Sequence, residues 1–267
     1  MEEKVQGTLV IIGGAEDKKG KQEILKKFID LSGNEDARLV VMTAATEEPE
    51  TVGENYRRIF KDLGVKDIAV LNINSRQEAN EQYYADTIKS STGIFFTGGD
   101  QLRITSLLGG TSTYWALIDA YQQGIVIAGT SAGASVMSET MIVEGDSEEA
   151  PKKNTLKMAP GMGFIKGVVV DQHFAQRGRI GRLLSAVAQN PDILGIGIDE
   201  DTAIVVNSDA KFEVYGSQTV TIVDGWLVNH SNVSESSPSE ALALTNITLH
   251  VLPAGYSFDL NHRVPIS

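Results

Sequence analysis

The segment Ile125-Val126-Ile127-Ala128-Gly129-Thr130-Ser131-Ala132-Gly133 decides the architecture. Its first four residues are apolar at successive positions, the mark of a strand buried on both faces of a parallel sheet. G-x-S-x-G follows, and the composition from Ala134 onward suits a helix. Strand, G-x-S-x-G and helix together form a nucleophile elbow, a strained turn that holds a serine hydroxyl above the edge of a sheet. Small residues flank the serine because the turn crowds its neighbours. The amide of Ala132 would then face a developing oxyanion, aided by the N-terminal end of the helix. The competing reading is a tight strand-to-helix turn carrying a solvated serine, and the strand and helix context is what weighs against it.

Outward from this segment the chain alternates short apolar runs with amphipathic stretches of helical length. The runs are residues 8–12, 38–42, 67–71, 93–96, 125–128 and 168–170. Between them, residues 22–31 place Ile24, Leu25, Phe28, Ile29 and Leu31 on one face, and residues 55–63 and 82–89 follow the same plan. This alternation predicts an α/β fold with a mostly parallel, doubly wound sheet. After about residue 195 the pattern changes. Residues 202–207, 212–215, 220–223 and 226–228 read as strands separated by Asn-Ser-Asp, Gly-Ser-Gln and Asp-Gly, which are hairpin signals. The expectation is one domain over residues 1–267, with an antiparallel C-terminal extension of the sheet from about residue 202. Residues 144–163 are charged and bear Pro and Gly, as a lid or binding loop would, and the serine-rich residues 231–239 read as an exposed loop.

Composition narrows the function. The chain has 267 residues, 42% of them hydrophobic and 22% charged, as in an ordinary globular domain. Cysteine is absent, which excludes disulfides, thiolate metal sites and a cysteine nucleophile. A net charge of -12 opposes nucleic acid as a partner. No apolar run reaches membrane-spanning length and no signal peptide is legible at Met1-Glu2-Glu3-Lys4, so a soluble, cytoplasmic protein is expected.

A serine nucleophile needs a base, and the histidines are His173, His230, His250 and His262. His173 ends the apolar run Val168-Val169-Val170, at the edge where open α/β sheets bind ligands. The other three lie among turns and edge strands. An orienting acid is expected at another strand end, and Asp199-Glu200-Asp201 follows the apolar run 195–198. Alternation sets Glu200 opposite its neighbours, so one acid can face the site while two face solvent; spacing leaves the choice open. The order serine, histidine, acid differs from the serine, acid, histidine order of α/β-hydrolases. Gly98-Gly99, closing residues 93–96, would let amides approach a substrate oxygen. Arg177, Arg179 and Arg182 follow the histidine, and arginine forks bind carboxylates, although a solvated helix face is the blander reading. Gly13-Gly14-Ala15-Glu16-Asp17 lacks G-x-G-x-x-G, so no dinucleotide cofactor is expected.

Taken in order, residues 12–17 (IGGAED), 96–103 (FTGGDQLR), 129–134 (GTSAGA), 170–174 (VDQHF) and 197–202 (GIDEDT) resemble the cyanophycinase family, a branch of the peptidase E-like serine hydrolases. The resemblance runs from Leu9 to about Val223 and leaves the last forty or so residues without a signature. It implies a fold similar to class I glutamine amidotransferases (flavodoxin-like), with serine replacing their cysteine. It implies Ser131 as nucleophile, His173 as base and Glu200 as orienting acid, with the amides of Gly99 and Ala132 as oxyanion donors. Gln101, Asp171, Gln172, Arg177, Arg179 and Arg182 match positions that the family uses for substrate recognition. The implied substrate is cyanophycin, a poly-aspartate backbone bearing arginine on each β-carboxyl, cut to β-Asp-Arg dipeptides without metal or organic cofactor by a homodimer. A peptidase E-type dipeptidase and a non-catalytic binding protein are the alternatives. Within the substrate set, Asp171 is expected to meet a guanidinium and the three arginines carboxylates, so that alanine at Arg179 or Arg182 lowers kcat/KM with little loss of stability. Residues 145–154 depart from the family's motifs.

Overall fold

Apolar residues at successive positions require cover on both faces, and the chain supplies it. The computed structural model describes residues 7–145, 150–153 and 156–266. The first half runs β1 (Leu9–Ile12), α1 (Glu23–Leu31), β2 (Arg38–Met42), α2 (Pro49–Asp62), β3 (Asp67–Leu71), α3 (Gln82–Ser90), β4 (Gly93–Phe96), α4 (Gln101–Leu108), α5 (Ser112–Gln122), β5 (Val126–Thr130) and α6 (Ala132–Ser135). Strands β1, β5, β4, β2 and β3 lie side by side in that order, all parallel. Along β1, Val10 and Ile12 pack with Leu25 and Phe28 of α1 and with Tyr56 and Phe60 of α2. Leu9 and Ile11 point the other way, into a core that holds Ile88 of α3, Ile104 of α4 and Leu117 of α5. The period of two therefore divides each strand between two helical layers. Helices α4 and α5 begin on side-chain caps, Asp100 accepting from the amide of Leu102 at 2.8 Å and Thr111 from that of Tyr114 at 3.3 Å.

The helices after the paired strands β2 and β4 lie on opposite faces, α2 in one layer and α4 in the other. The loops leaving these two strands must diverge, which opens a crevice at their C-terminal ends.

The second half continues with β6 (Thr140–Gly145), β7 (Leu156–Pro160), β8 (Val168–Gln172), α7 (Ile180–Gln189), β9 (Leu194–Ile198), β10 (Thr202–Val206), β11 (Lys211–Gly216) and β12 (Thr219–Asp224). Short strands close the chain: β13 (His230–Ser231), β14 (Leu244–Thr245), β15 (Thr248–Pro253), β16 (Ser257–Asp259) and β17 (Val264–Ile266). Strands β10, β11, β16 and β17 extend the parallel set antiparallel, giving a nine-stranded mixed sheet. A second, four-stranded sheet has the order β15-β12-β9-β8.

Several expectations are corrected. The antiparallel extension from residue 202 is as expected, but the run at residues 168–170 belongs to the second sheet, paired parallel with β9. Of the three hairpin signals read between residues 202 and 228, only the Asn207–Ala210 connection makes a hairpin, between β10 and β11. At Gly216, with φ of 107°, the chain leaves one sheet for the other, because β12 pairs with β9 and β15 instead of β11. Trp226 and Leu227 sit in a turn, not a strand, and hairpin geometry at Asp224-Gly225 does not form. Residues 144–163 are not a bare loop, since β6 and β7 pair antiparallel. The divergent segment 145–154 lies partly outside the described residues. Helices α4 and α5 were not anticipated; their apolar residues are interrupted by Thr, Ser and Tyr, which blunts the helical period.

Candidate active site

Ser131 follows β5 directly, with φ of 54° and ψ of -113°, in a region that L-residues seldom occupy. The strain is held by the main chain. The Ser131 amide donates to Ile12 O at 3.1 Å, and its carbonyl accepts from the amides of Ala134 and Ser135. Gly129 and Gly133 are required here, because a Cβ on Gly129 would lie 2.3 Å from Gly133 O and one on Gly133 2.5 Å from Phe96 O.

The Ser131 hydroxyl lies 2.9 Å from His173 Nε2, and His173 Nδ1 lies 2.6 Å from Glu200 Oε1. These groups come from different sheets, Ser131 from the end of β5 and His173 and Glu200 from the ends of β8 and β9. The turn after β1 joins them. His173 N donates to Gly13 O at 2.7 Å and Asp201 N to Gly14 O at 2.9 Å. The histidine ring packs on Gly14, where a Cβ would fall 2.4 Å from Cε1 and the φ is +102°. His173 itself has φ of 46°. Burial pushes its pKa below the usual 6.5; the Glu200 hydrogen bond opposes that, and the nearby Arg177 charge adds to it.

Among the three acids, only Glu200 reaches the imidazole. The other two do not face solvent as alternation suggested; they tie loops together. Asp199 accepts from Ala175 N at 2.9 Å and from the Thr219 hydroxyl at 2.8 Å. Asp201 accepts from Asp17 N at 2.8 Å and from the Ser217 hydroxyl at 2.7 Å.

Across from the serine, a Cβ on Gly98 would sit 3.4 Å from Ser131 Cβ. Gly99 has φ of +145°, and a Cβ there would collide with Ala45 O at 2.1 Å. Among the described residues, the amides of Gly99 and Ala132 donate to no group of the chain. A carbonyl oxygen placed beside Ser131 Oγ would find these two donors without a competing acceptor.

The substrate-recognition candidates divide. Gln172 is buried, with Oε1 3.4 Å from Ser131 Oγ. Gln101 is turned to the β6 strand, its Nε2 donating to Ile142 O and Val143 O at 3.0 and 3.1 Å. Asp171 is 1% exposed, and its carboxylate is taken inside the protein. Arg182 Nε donates to Oδ2 at 2.6 Å, Arg182 Nη2 to Oδ1, and Arg179 Nη1 lies 3.4 Å from Oδ1. Arg179 also donates to Gln172 O at 2.5 Å, and burial pushes its pKa down to about 10. Asp171, expected to meet a substrate guanidinium, instead holds both Arg179 and Arg182, two guanidiniums on one carboxylate, with Arg179 Nε buried and without a hydrogen-bond partner among the described residues. Arg177 differs. It is exposed, beside the histidine, and its guanidinium makes no hydrogen bond or ion pair among the described residues.

Two supports were not anticipated. Glu16, 3% exposed, accepts from the Thr130 hydroxyl and the Tyr56 hydroxyl, both at 2.5 Å, directly behind the serine. Its place after Gly13-Gly14 was visible, but its partners lie 40 and 114 residues away in sequence. Gln176 Oε1 accepts from Glu200 N at 3.0 Å. Among the described residues no three His, Asp or Glu side chains cluster as a metal would need, and no helix is long and apolar enough to cross a membrane.

A hydroxyl, an imidazole and a carboxylate hydrogen-bonded in line can activate a serine as a nucleophile, and comparison with known proteins gives the family. The model of peptidase family S51 matches residues 9–214. The chain belongs to that family. A cyanophycinase from Geminocystis herdmanii is 40% identical over 268 residues, covering 100% of this chain and 98% of the relative. A cyanophycinase from Trichormus variabilis is 41% identical, covering 96% and 86%. One from Synechococcus elongatus is 40% identical, covering 97% and 81%. Among solved structures, a peptidase from an acI-B1 Actinobacterium superposes with a TM-score of 0.70 at 22% identity, over 96% of this chain and 98% of that one. A putative peptidase E protein from Listeria monocytogenes gives 0.55 at 15% identity, over 80% and 100%. At such identities the last two speak to the fold alone.

Proposed function

We propose that this S51 peptidase hydrolyses the backbone of cyanophycin through a serine acyl-enzyme and releases β-Asp-Arg dipeptides. The observation that carries the reading is the continuous hydrogen-bonded path from Ser131 through His173 to Glu200 beside two uncommitted amides, in a chain about 40% identical to curated cyanophycinases. With Nδ1–H directed at Glu200, His173 Nε2 is left to accept the Ser131 proton as Oγ attacks the aspartyl carbonyl. The depressed basicity of the imidazole keeps it neutral, and so able to accept, at neutral pH. The oxyanion of the tetrahedral intermediate lies toward the amides of Gly99 and Ala132. His173 returns its proton to the leaving amine, and water then takes the same route to cleave the acyl ester. Gln172 borders the reacting atoms, and Arg177 is the cation available to a substrate carboxylate. Gln101, Asp171, Arg179 and Arg182 shape the pocket from behind on this reading. It also includes a class I amidotransferase-like fold, which the parallel strand order and the elbow after β5 support, and a cytoplasmic homodimer, which rests on the resemblance alone.

The test is hydrolysis of cyanophycin compared with free aspartyl dipeptides by wild type and Ser131→Ala. Polymer turnover that falls by several orders of magnitude in a folded Ser131→Ala is expected. Retention of activity within tenfold removes the serine mechanism, and cleavage of dipeptides in preference to polymer removes the substrate.

A further inference from the structure

The crevice between the ends of β2 and β4 opens into a cavity of about 680 Å³, within the range of small-molecule sites. Glu47, from the loop after β2, and Asp100, Leu102 and Arg103, from the start of α4, line it, with Pro160 of β7 on the far wall. The position is the one where the strand order reverses, which in open α/β sheets is where ligands collect. It also adjoins the reacting centre: Asp100 follows Gly99 directly and donates its amide to Ala45 O at 2.9 Å. Gly98, against Ser131, is two residues from Asp100, at most about 7 Å of chain.

The charges lining the cavity are unspent. Among the described residues Glu47 makes no hydrogen bond or ion pair. Asp100 uses one oxygen on the Leu102 amide. Among the described residues Arg103 likewise makes no ion pair, and its Nε is buried without a hydrogen-bond partner. A guanidinium and two carboxylates thus line one cavity without neutralising one another. That arrangement suits a ligand that carries both signs itself, because each ligand charge meets its opposite and the buried Nε gains an acceptor.

We propose that this cavity is a second subsite, which takes the arginyl side chain of a polymer unit beyond the two that flank the scissile bond. Its guanidinium lies between Glu47 and Asp100, and its free carboxylate meets Arg103. The proposal rests on the substrate reading given above, and its consequence is that long chains are cleaved better than the shortest cleavable one.

The test is the double variant Glu47→Gln/Arg103→Gln, which keeps side-chain size and leaves Asp100 capping α4. Steady-state kinetics are compared on cyanophycin, on oligomers of four β-Asp-Arg units and on the two-unit oligomer. Solvent-accessible charge pairs each contribute a factor of up to about five. The double variant is therefore expected to lose about three- to twentyfold in kcat/KM on the polymer and the four-unit oligomer, mostly through KM, while staying within twofold of wild type on the two-unit substrate. Polymer affinity of Ser131→Ala, with and without the double substitution, should shift by the same factor. Equal losses on short and long substrates, or no loss on any, overturn the subsite while the hydrolase reading stands. A wild type inert on polymer and oligomers alike removes that reading and the subsite with it.

Discussion

Replacing Asp171 by Asn should destabilise the protein more than replacing Arg182 by Gln, and charge counting within the buried cluster says why. Asp171 is 1% exposed, Arg179 and Arg182 are 7% and 6% exposed, and the two guanidiniums share one carboxylate. Arg182→Gln removes the two closest hydrogen bonds but leaves one negative and one positive charge, 3.4 Å apart. Breaking a buried pair costs about 3–5 kcal/mol when a lone charge remains; here none does, so about 2–3 kcal/mol is expected. Asp171→Asn leaves two buried guanidiniums with no counter-ion, and the cost should reach or pass about 5 kcal/mol. Against a total stability of about 5–15 kcal/mol, the second variant stands near the edge of folding. Urea unfolding at pH 7, with midpoints compared at matched m-values, measures the difference. If Arg182→Gln is the more destabilising, or if both cost under about 1 kcal/mol as an exposed pair would, the cluster is not the closed structural unit described here. The same result would restore these arginines as candidates for direct substrate contact.

Other outcomes follow from the site. Glu200→Gln should lower kcat by about 10²–10⁴-fold by removing the acceptor for His173 Nδ1, whereas Asp199→Asn and Asp201→Asn should act mainly on thermal stability; equal kinetic losses in all three would refute the assignment. The acid limb of kcat/KM should have its midpoint below pH 6.5, since burial makes His173 harder to protonate, and Arg177→Gln, which removes a cation that lowers its pKa, should move that limb to higher pH. The linked stability has the matching sign: the unfolded chain binds the His173 proton more readily, so stability should fall as pH drops below about 6.5, a slope that His173→Gln should reduce in pH-dependent denaturation. Gly14→Ala puts a methyl 2.4 Å from the imidazole, so turnover should drop by more than tenfold with KM little changed; normal turnover would mean the ring has room that the packing denies.

Much of this was legible in the sequence because it is local. The strand and elbow at residues 126–133 lie in one continuous segment, and the apolar runs of β1, β2, β4 and β5 announce burial on both faces. The choice of Glu200 among three adjacent acids needed the resemblance, since alternation separates it from Asp199 and Asp201 without saying which side the histidine occupies. The internal use of Asp171 was not legible at all. Arg179 and Arg182 look alike whether they meet a ligand or a carboxylate one strand away, and only the packing of α7 on the second sheet decides. The division into two sheets was hidden for a related reason: β8 reads as apolar as β5, and the partner of a strand is a long-range property.

Because Ser131 is carried by one sheet and His173 by the other, proton transfer is also a gauge of how the two halves of the molecule sit. A relative slip of about 0.6 Å along the Oγ–Nε2 direction takes their 2.9 Å separation to the limit of a hydrogen bond. Such a slip breaks no strand and exposes little apolar surface, so circular dichroism would scarcely record it. On warming, activity should therefore fade reversibly some degrees before the fold melts. The Gly13–Gly14 turn, bonded to His173 and Asp201 at once, is the clasp whose loosening sets that temperature.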